Sequence, residues 1–369
     1  MPIRSEWTLA REGVTADTIK TFLSRTILNP AFTLPLYLLG RYTQQGAAIA
    51  NDNAAIFKHL KTLLYLGLAA KASSYLDSGV TNNWTSDTYD WKKEIVVVTG
   101  GSDGIGKIIA HLFAEMGVKV AVMDVQPLTY EAPPTVQYFH VDLASHTSIR
   151  SACSSVRSTL GSPTVLINNA GCARGKSILD STEKDIRLTF NVNTLSHYFL
   201  AQQFLPDMIA KNHGTIVTVA SLAAYVTAPS MVDYAASKAA ALAFHEGLSA
   251  ELATLYKAGK VRTIVMCQGY TRTALFEGFD PQGALYPETV AEAIVKAVLK
   301  GRSDHLVTPS AGMSIPTGLR AFPAWMQYGL RKRLVKLMKG WKGRQVQQPS
   351  LSDEKEKEKL GESVVLVET

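Results

Sequence analysis

Seven short runs rich in Val and Ile recur between Lys92 and Pro309: Glu94–Thr99, Val118–Met123, Val136–Val141, Thr164–Asn168, Thr215–Ala220, Val261–Cys267 and His305–Thr308. Six of the seven lack polar alternation, as strands buried on both faces do. Helical periodicity fills most of the intervals, so the pattern predicts repeated β-α units and a doubly wound, parallel seven-stranded sheet. The flanks read differently. Ile27–Leu39 is apolar but too short to span a bilayer and is interrupted by Pro30 and Pro35. Ala54–Leu76 places Ile56, Leu60, Leu63, Leu64, Gly67 and Leu68 on one helical stripe, flanked by Lys58, Lys61 and Lys71. Beyond the last strand, residues 319–344 contain eight Lys or Arg and no acid. On a helix, Leu330, Leu334, Leu337, Met338 and Trp341 gather opposite Lys332, Lys336 and Lys339.

These shifts divide the chain into an N-terminal segment (1–91), a catalytic-sized domain (92–310), a basic amphipathic segment (311–345) and a solvated charged tail (346–369) containing Asp353-Glu-Lys-Glu-Lys-Glu-Lys359. Both flanks suit the surface of one membrane leaflet, the basic one an anionic surface in particular. Packing of either on the domain is the alternative. Composition narrows the class further. With 46% apolar and 19% charged residues in 369, the chain is not disordered. It has no apolar stretch of about 18 residues, which excludes a multi-span membrane protein. Three distant cysteines, Cys153, Cys172 and Cys267, form neither a disulfide framework nor a zinc pattern, and no metal site is expected. The first 25 residues match neither a secretory signal nor a mitochondrial presequence. The net charge of +7 invites nucleic acid, but no nucleic-acid module accompanies it.

Thr99-Gly100-Gly101-Ser102-Asp103-Gly104-Ile105-Gly106 leaves the first strand and opens a helix. Such a glycine-rich turn lets a backbone approach a pyrophosphate at a helix N-terminus, the arrangement of a Rossmann-type dinucleotide site. Asp124 ends the next strand, where a carboxylate accepts ribose hydroxyls and repels a 2′-phosphate. With no Arg or Lys beside it, NAD(H) is expected over NADP(H).

Tyr-x-x-x-Lys puts a phenol and an ammonium on one helical face, and a nearby cation favours phenolate. The chain has four such pairs: Tyr89/Lys93, Tyr234/Lys238, Tyr256/Lys260 and Tyr328/Lys332. Only Tyr234 has a serine 13 residues upstream, Ser221, at the end of a buried strand. Ligands of open α/β sheets bind at such ends.

Taken together, these motifs resemble the short-chain dehydrogenase/reductase family over residues 92–310. Thr99–Gly106 is similar to its cofactor loop and Asn168-Asn169-Ala170-Gly171 to its signature after the fourth strand. Asn193, Ser221, Tyr234 and Lys238 resemble its catalytic tetrad. Within the family, Asn169–Lys176 and Ser237–Glu246 look like the membrane-associated retinol and 17β-hydroxysteroid dehydrogenases and fungal proteins of similar design. The resemblance implies that Tyr234 is the general acid/base and that Ser221 bonds the substrate oxygen. Lys238 would lower the tyrosine pKa and hold the nicotinamide ribose, and Asn193 would hold a relay water. Asp142, with Leu143, would contact the adenine, and Gly269, Thr271 and Thr273 would hold the nicotinamide. One departure stands out: Gln268 replaces the family's usual proline before Gly269. The expected activity is interconversion of a hydrophobic alcohol and its carbonyl, by a homodimer on the cytosolic face of the endoplasmic reticulum or a lipid droplet. A non-catalytic NAD-binding surface protein and a soluble NADPH-dependent ketoreductase are the alternatives.

Overall fold

The computed structural model of the chain describes residues 3–5, 8–277, 284–311, 314–338, 341 and 343. All seven expected strands form: β1 (Ile95–Thr99), β2 (Lys119–Asp124), β3 (Val136–His140), β4 (Val165–Asn168), β5 (Gly214–Val219), β6 (Val261–Gln268) and β7 (Asp304–Thr308). They pair in parallel in the order β3-β2-β1-β4-β5-β6-β7. Successive side chains on each strand serve opposite faces. Val96, Val98, Val120, Val122, Ile167, Val217 and Met266 pack against the helices Gly104–Glu115 and Pro287–Leu299. Val97, Ala121, Met123, Leu166 and Ile216 pack against His146–Leu160, Ser196–Lys211 and Val232–Thr254. A residue flanked by helices on both sides of its sheet must be apolar in either direction, which is why the runs do not alternate. The chain reverses its direction of travel across the sheet between β1 and β4. The crevice at their carboxyl ends is therefore where a ligand is expected.

In chain order the helices are α1 (Ala16–Arg25), α2 (Pro30–Tyr42), α3 (Gln44–Asp52), α4 (Ala54–Thr81), α5 (Gly104–Glu115), α6 (His146–Leu160), α7 (Glu183–Phe190), α8 (Ser196–Lys211), α9 (Val232–Thr254), α10 (Pro287–Leu299), α11 (Ser314–Gly318) and α12 (Ala324–Arg333). The prolines do not break the first apolar run. Pro30 starts α2, where its missing N–H costs nothing, and Pro35 lies inside it. The carbonyl that Pro35 leaves without a donor belongs to Ala31, an exposed residue that water can reach. The stripe expected on α4 is reduced to Leu64 and Gly67, its buried residues. A Cβ on Gly67 would collide with the Leu28 carbonyl and come within 3.3 Å of Pro30 Cδ, so α4 passes too close to the start of α2 for a side chain there. Tyr37 stacks on Phe57 at 5.4 Å. Phe32, Leu36, Leu39, Ile56, Leu66, Leu68 and Leu76 remain exposed. Among the described residues, no helix is long and apolar enough to cross a membrane.

This N-terminal segment is fastened at both ends, to β6 at one and to α10 at the other. Arg262 of β6 is 1% exposed and donates to the carbonyls of Asn82 (3.1 Å), Thr85 (2.9 Å) and Gly259 (3.2 Å). Glu12 accepts from the Tyr286 amide (2.9 Å) and the Thr289 hydroxyl (2.8 Å), and Arg11 pairs with Glu292 on α10. At the other terminus, the apolar face of residues 330–338 turns toward the protein. Leu330, Leu334, Leu337 and Met338 are half-buried over the carboxyl ends of the strands, where they line a cavity. The expectation that this face meets a membrane is corrected accordingly: a nearer apolar surface covers it. Trp325, Tyr328 and Val335 are exposed instead, alongside Lys332, Arg333 and Lys336. Lys339, Lys342, Arg344 and the charged tail lie outside the described residues.

Candidate active site

The turn between β1 and α5 opens the cavity at its cofactor end. Gly100, Asp103, Gly104 and Ile105 line it. A Cβ on Gly106 would run into the Gly100 carbonyl and come within 2.6 Å of Asn169 Nδ2, so glycine is what lets α5 start against the strand end. The Asp103 carboxylate caps the Gly104 N–H at 2.8 Å. Thr99 does not face the cavity. Its hydroxyl accepts from the amides of Asn169 (3.0 Å) and Ala170 (3.1 Å), while Asn169 Nδ2 donates to the carbonyls of Thr99 (3.0 Å) and Gly100 (3.2 Å). These bonds lace the loop after β4 to the loop after β1 across the crevice, leaving Asn169, Ala170 and Gly171 on the cavity wall.

Ser102 is likewise structural in its contacts: buried, it donates its N–H to Asp124 Oδ2 (3.0 Å) and its hydroxyl to the Gln126 carbonyl (2.8 Å). Asp124 Oδ1 accepts the Gln126 N–H at 3.1 Å, so this carboxylate holds two backbone amides while lining the cavity. Asp142 and Leu143 line it next to Val141. Lys238 is the only Lys or Arg among the described lining residues. A glycine cradle at a helix N-terminus, an acid at the end of β2 and no base among the described residues beside it fit a nicotinamide dinucleotide, whose pyrophosphate Gly100–Ile105 would hold and whose ribose Asp124 would hold.

The reactive end lies beyond β5. Ser221 follows that strand in extended geometry, its hydroxyl accepting the Ala223 N–H at 3.1 Å and reaching the Gln268 carbonyl at 3.5 Å. Tyr234 occupies the first turn of α9, buried, with its ring edge-on to Phe276 at 5.8 Å and Ser221 within hydrogen-bonding reach of its phenol. One turn later, Lys238 donates to the Val219 carbonyl at 2.7 Å, its Nζ 5.9 Å from the centre of the Tyr234 ring. Burial pushes the phenol up to about 12, against the Ser221 hydrogen bond, and pushes the ammonium down to about 8. The lowering of the phenol by Lys238 that the i, i+4 spacing predicts does not set its pKa here: burial raises it, and Ser221 is the group that opposes burial. The ammonium is spent on a carbonyl rather than on the phenolic oxygen.

Asn193 does not line the cavity. It sits in a π-turn (Asn191–Leu195) between α7 and α8, a distortion often found at functional sites. Its Oδ1 accepts from Cys172 N–H (2.8 Å), and its Nδ2 donates to Cys172 O (2.9 Å) and Ser237 Oγ (3.0 Å). The Ser237 hydroxyl in turn donates to the Tyr234 carbonyl at 2.8 Å. Asn193 therefore ties the Gly171 loop to the helix that carries Tyr234 and Lys238. A Cβ on Gly171 would lie 3.5 Å from Lys238 Nζ. Cys172 is buried and its thiol is raised to about 11, as suits a packing residue. His197 and His245 are buried and pushed down to about 3 and about 4, so both are neutral at pH 7.

Gly269, Thr271 and Thr273 line the cavity next to Gln268. The Gln268 side-chain oxygen is buried without a partner. Around Tyr234 the lining is apolar: Met231, Phe276, Leu334 and Leu337 cluster with it, and Leu222 and Val226 line the same cavity. Sequence reasoning missed this wall, because its members come from four separate segments and no spacing links them. The whole cavity measures about 590 Å³. The segment from Thr271 to Leu285 contributes Ala274, Leu275 and Phe276, while residues 278–283 lie outside the described ones.

Comparisons with known proteins agree with this geometry. The family model for short chain dehydrogenase matches residues 94–283, just over half the chain. Dehydrogenase RED2 of Cochliobolus heterostrophus is 46% identical over 208 residues, 56% of this chain and 78% of that protein. Human estradiol 17-beta-dehydrogenase 11 is 32% identical over 254 residues, 67% of this chain and 82% of the other. A short chain dehydrogenase from Burkholderia cenocepacia J2315, solved in complex with NADP, superposes with a TM-score of 0.56 at 28% identity, covering 66% of this chain and 98% of that one. The chain belongs to the short-chain dehydrogenase family, whose members are NAD(P)-dependent oxidoreductases of CH–OH groups on small molecules.

Proposed function

We propose that the protein interconverts a hydrophobic alcohol and its carbonyl compound, of steroid, retinoid or fatty type, with NAD(H) preferred over NADP(H). The observation that carries this reading is the convergence of Ser221, Tyr234 and Lys238 at the end of a cavity whose wall there is apolar. Such a wall offers no partner for a substrate carboxylate or phosphate, so binding energy comes from apolar burial, and the one polar contact is at the reacting oxygen. The bound nicotinamide supplies or accepts the hydride at the carbinol carbon. Tyr234 takes the hydroxyl proton as the alcohol is oxidised and returns it in reduction, while Ser221 donates a hydrogen bond to the same oxygen as charge develops there. Lys238 holds the ribose and opposes the burial that disfavours phenolate. Asn193 keeps the helix and the Gly171 loop in register, and its turn is suited to hold a relay water. Asp124 disfavours a 2′-phosphate.

The enzyme works at a membrane or lipid-droplet surface, where its substrate is dissolved. The exposed apolar residues of α2 and α4 and the exposed Trp325, Tyr328, Val335, Lys332, Arg333 and Lys336 support a docked rather than a spanning arrangement. This reading puts it on the cytosolic face of the endoplasmic reticulum or on lipid droplets. Leu195, at the end of the turn leading into α8, and Tyr198, in the first turn of α8, are exposed and support a homodimer through α8 and α9. The test offers NAD⁺ and NADP⁺ separately to detergent-solubilised protein, with steroid, retinoid and long-chain alcohols, alongside flotation on phosphatidylserine-containing vesicles. Turnover with NAD⁺, reversed toward NADP⁺ in Asp124→Ala, is the expected result. Tight NADH binding with no alcohol oxidised would replace the enzyme by an NAD-binding surface protein. Protein that stays out of the floated vesicles would remove the membrane.

A further inference from the structure

The C-terminal segment packs on the end of the cavity that holds Tyr234. Leu330, Leu334, Leu337 and Met338 form one side of the cavity. The segment is pinned at three places, each on a different loop. The Arg320 guanidinium donates to the Ala224 carbonyl at 3.4 Å, three residues after Ser221. The Trp341 indole N–H donates to the Leu275 carbonyl at 2.9 Å, next to Phe276, whose ring meets Tyr234. The Trp341 ring lies flush on Gly175, in the loop after β4; Gly175 has φ +63, and a Cβ there would collide with the indole. Trp341, Leu334, Leu337 and Met338 pack in one cluster with Tyr234, Ala173 and Met231. The three loops so joined are those that position Ser221, the Gly171 turn and Phe276.

We infer that this segment is the specificity-determining wall of the substrate cavity, with Leu334, Leu337 and Met338 setting the size of alcohol accepted and Trp341 latching the wall across the Gly175 and Leu275 loops. The inference rests on the alcohol dehydrogenase reading. The wall consists of aliphatic side chains on about one and a half turns, backed by solvent-exposed Lys332, Arg333 and Lys336 rather than by a second core layer. Truncating its leucines therefore enlarges the cavity without opening the hydrophobic interior. A flexible Met338 within it fits a substrate of variable shape. Trp341 does not itself line the cavity; it is a positioning residue, acting through the wall it holds.

The experiment compares wild type, Leu334→Ala/Leu337→Ala, Trp341→Ala, Trp341→Phe and Gly175→Ala. Measured quantities are kcat and KM for primary alcohols of increasing chain length with NAD⁺, and the NADH dissociation constant by fluorescence. The double leucine variant is expected to shift the ratio of kcat/KM for long over short alcohols by about tenfold toward long ones, since each methylene fitted or lost in an apolar pocket discriminates by that order. Trp341→Ala and Gly175→Ala are expected to raise alcohol KM several-fold with NADH binding unchanged. Their double variant should be no worse than either alone, because both break one contact. Trp341→Phe, which keeps the ring but not the N–H, should fall between. An unchanged chain-length profile in the leucine variant overturns the inference. So does a parallel loss of NADH affinity and alcohol turnover in the latch variants, which would mark a merely structural role. If wild type oxidises no alcohol, the functional reading fails first. The wall is then read from the binding of a pyrene-labelled long-chain alcohol, and affinities equal in wild type and the leucine variant sink it.

Discussion

Lys238 links the stability of the cofactor-free protein to its chemistry in a way that can be measured. Lys238 is 3% exposed, its ammonium donates to the Val219 carbonyl, and burial lowers it from 10.5 to about 8. That depression corresponds to about 3 kcal/mol against the charged form in the folded state. A folded pKa below the unfolded one works in a definite direction for a lysine. Below pH 8 both states carry the proton and the full cost is present. Between pH 8 and 10.5 the folded chain releases its proton first, the unfolded chain binds more protons, and stability rises with pH. Above 10.5 the cost has gone. Lys238→Met keeps the length of the side chain, removes the charge and orphans the Val219 carbonyl, a loss of about 1 kcal/mol. Urea unfolding of cofactor-free protein should therefore find the variant more stable than wild type by about 2 kcal/mol at pH 7. That advantage should shrink through pH 8–10 and reverse by about 1 kcal/mol near pH 11, while turnover is lost throughout. A variant less stable than wild type by the same amount at every pH would refute the burial argument.

Other substitutions test the framework around the site. Gly106→Ala drives a methyl group into the Gly100 carbonyl; it should weaken NADH binding at least tenfold and cost about 1–3 kcal/mol in urea. Gln268→Met removes the buried unpaired amide oxygen at similar volume. Cofactor-free protein should gain about 1 kcal/mol, read as a higher melting temperature. Arg262→Leu leaves the Asn82, Thr85 and Gly259 carbonyls without their donor. It should destabilise by about 3 kcal/mol and make the 82–91 linker the first site of limited proteolysis.

How much could be read beforehand follows from what each pattern constrains. The strands were legible because a sheet covered on both faces demands apolar residues at every position, and Val96–Val98 and Val120–Met123 supply them. Ser221, Tyr234 and Lys238 were legible because a strand end and one helical turn bring together residues 13 and 4 apart. Thr99, Ser102 and Asn193 were named as site residues, yet they act on the backbone that surrounds the cavity. Residue type and position do not reveal whether a hydroxyl or amide faces a ligand or a neighbouring loop. The destination of Leu330, Leu334, Leu337 and Met338 was not legible either. An amphipathic pattern records that an apolar face is covered and is silent about what covers it. The raised Tyr234 phenol has the same origin: spacing sets the distance to Lys238, but burial decides the protonation.

The most direct test of the central claim is the rate of NADH formation by Tyr234→Phe, measured beside wild type on whichever hydrophobic alcohol wild type oxidises, with NADH affinity determined for both. Removing one hydroxyl from a ring packed on Phe276 leaves the cavity and the cofactor cradle intact. NADH binding should stay within about twofold of wild type and turnover should fall by about 10²-fold or more, the usual worth of a general acid/base. Turnover equal to that of wild type would contradict that claim.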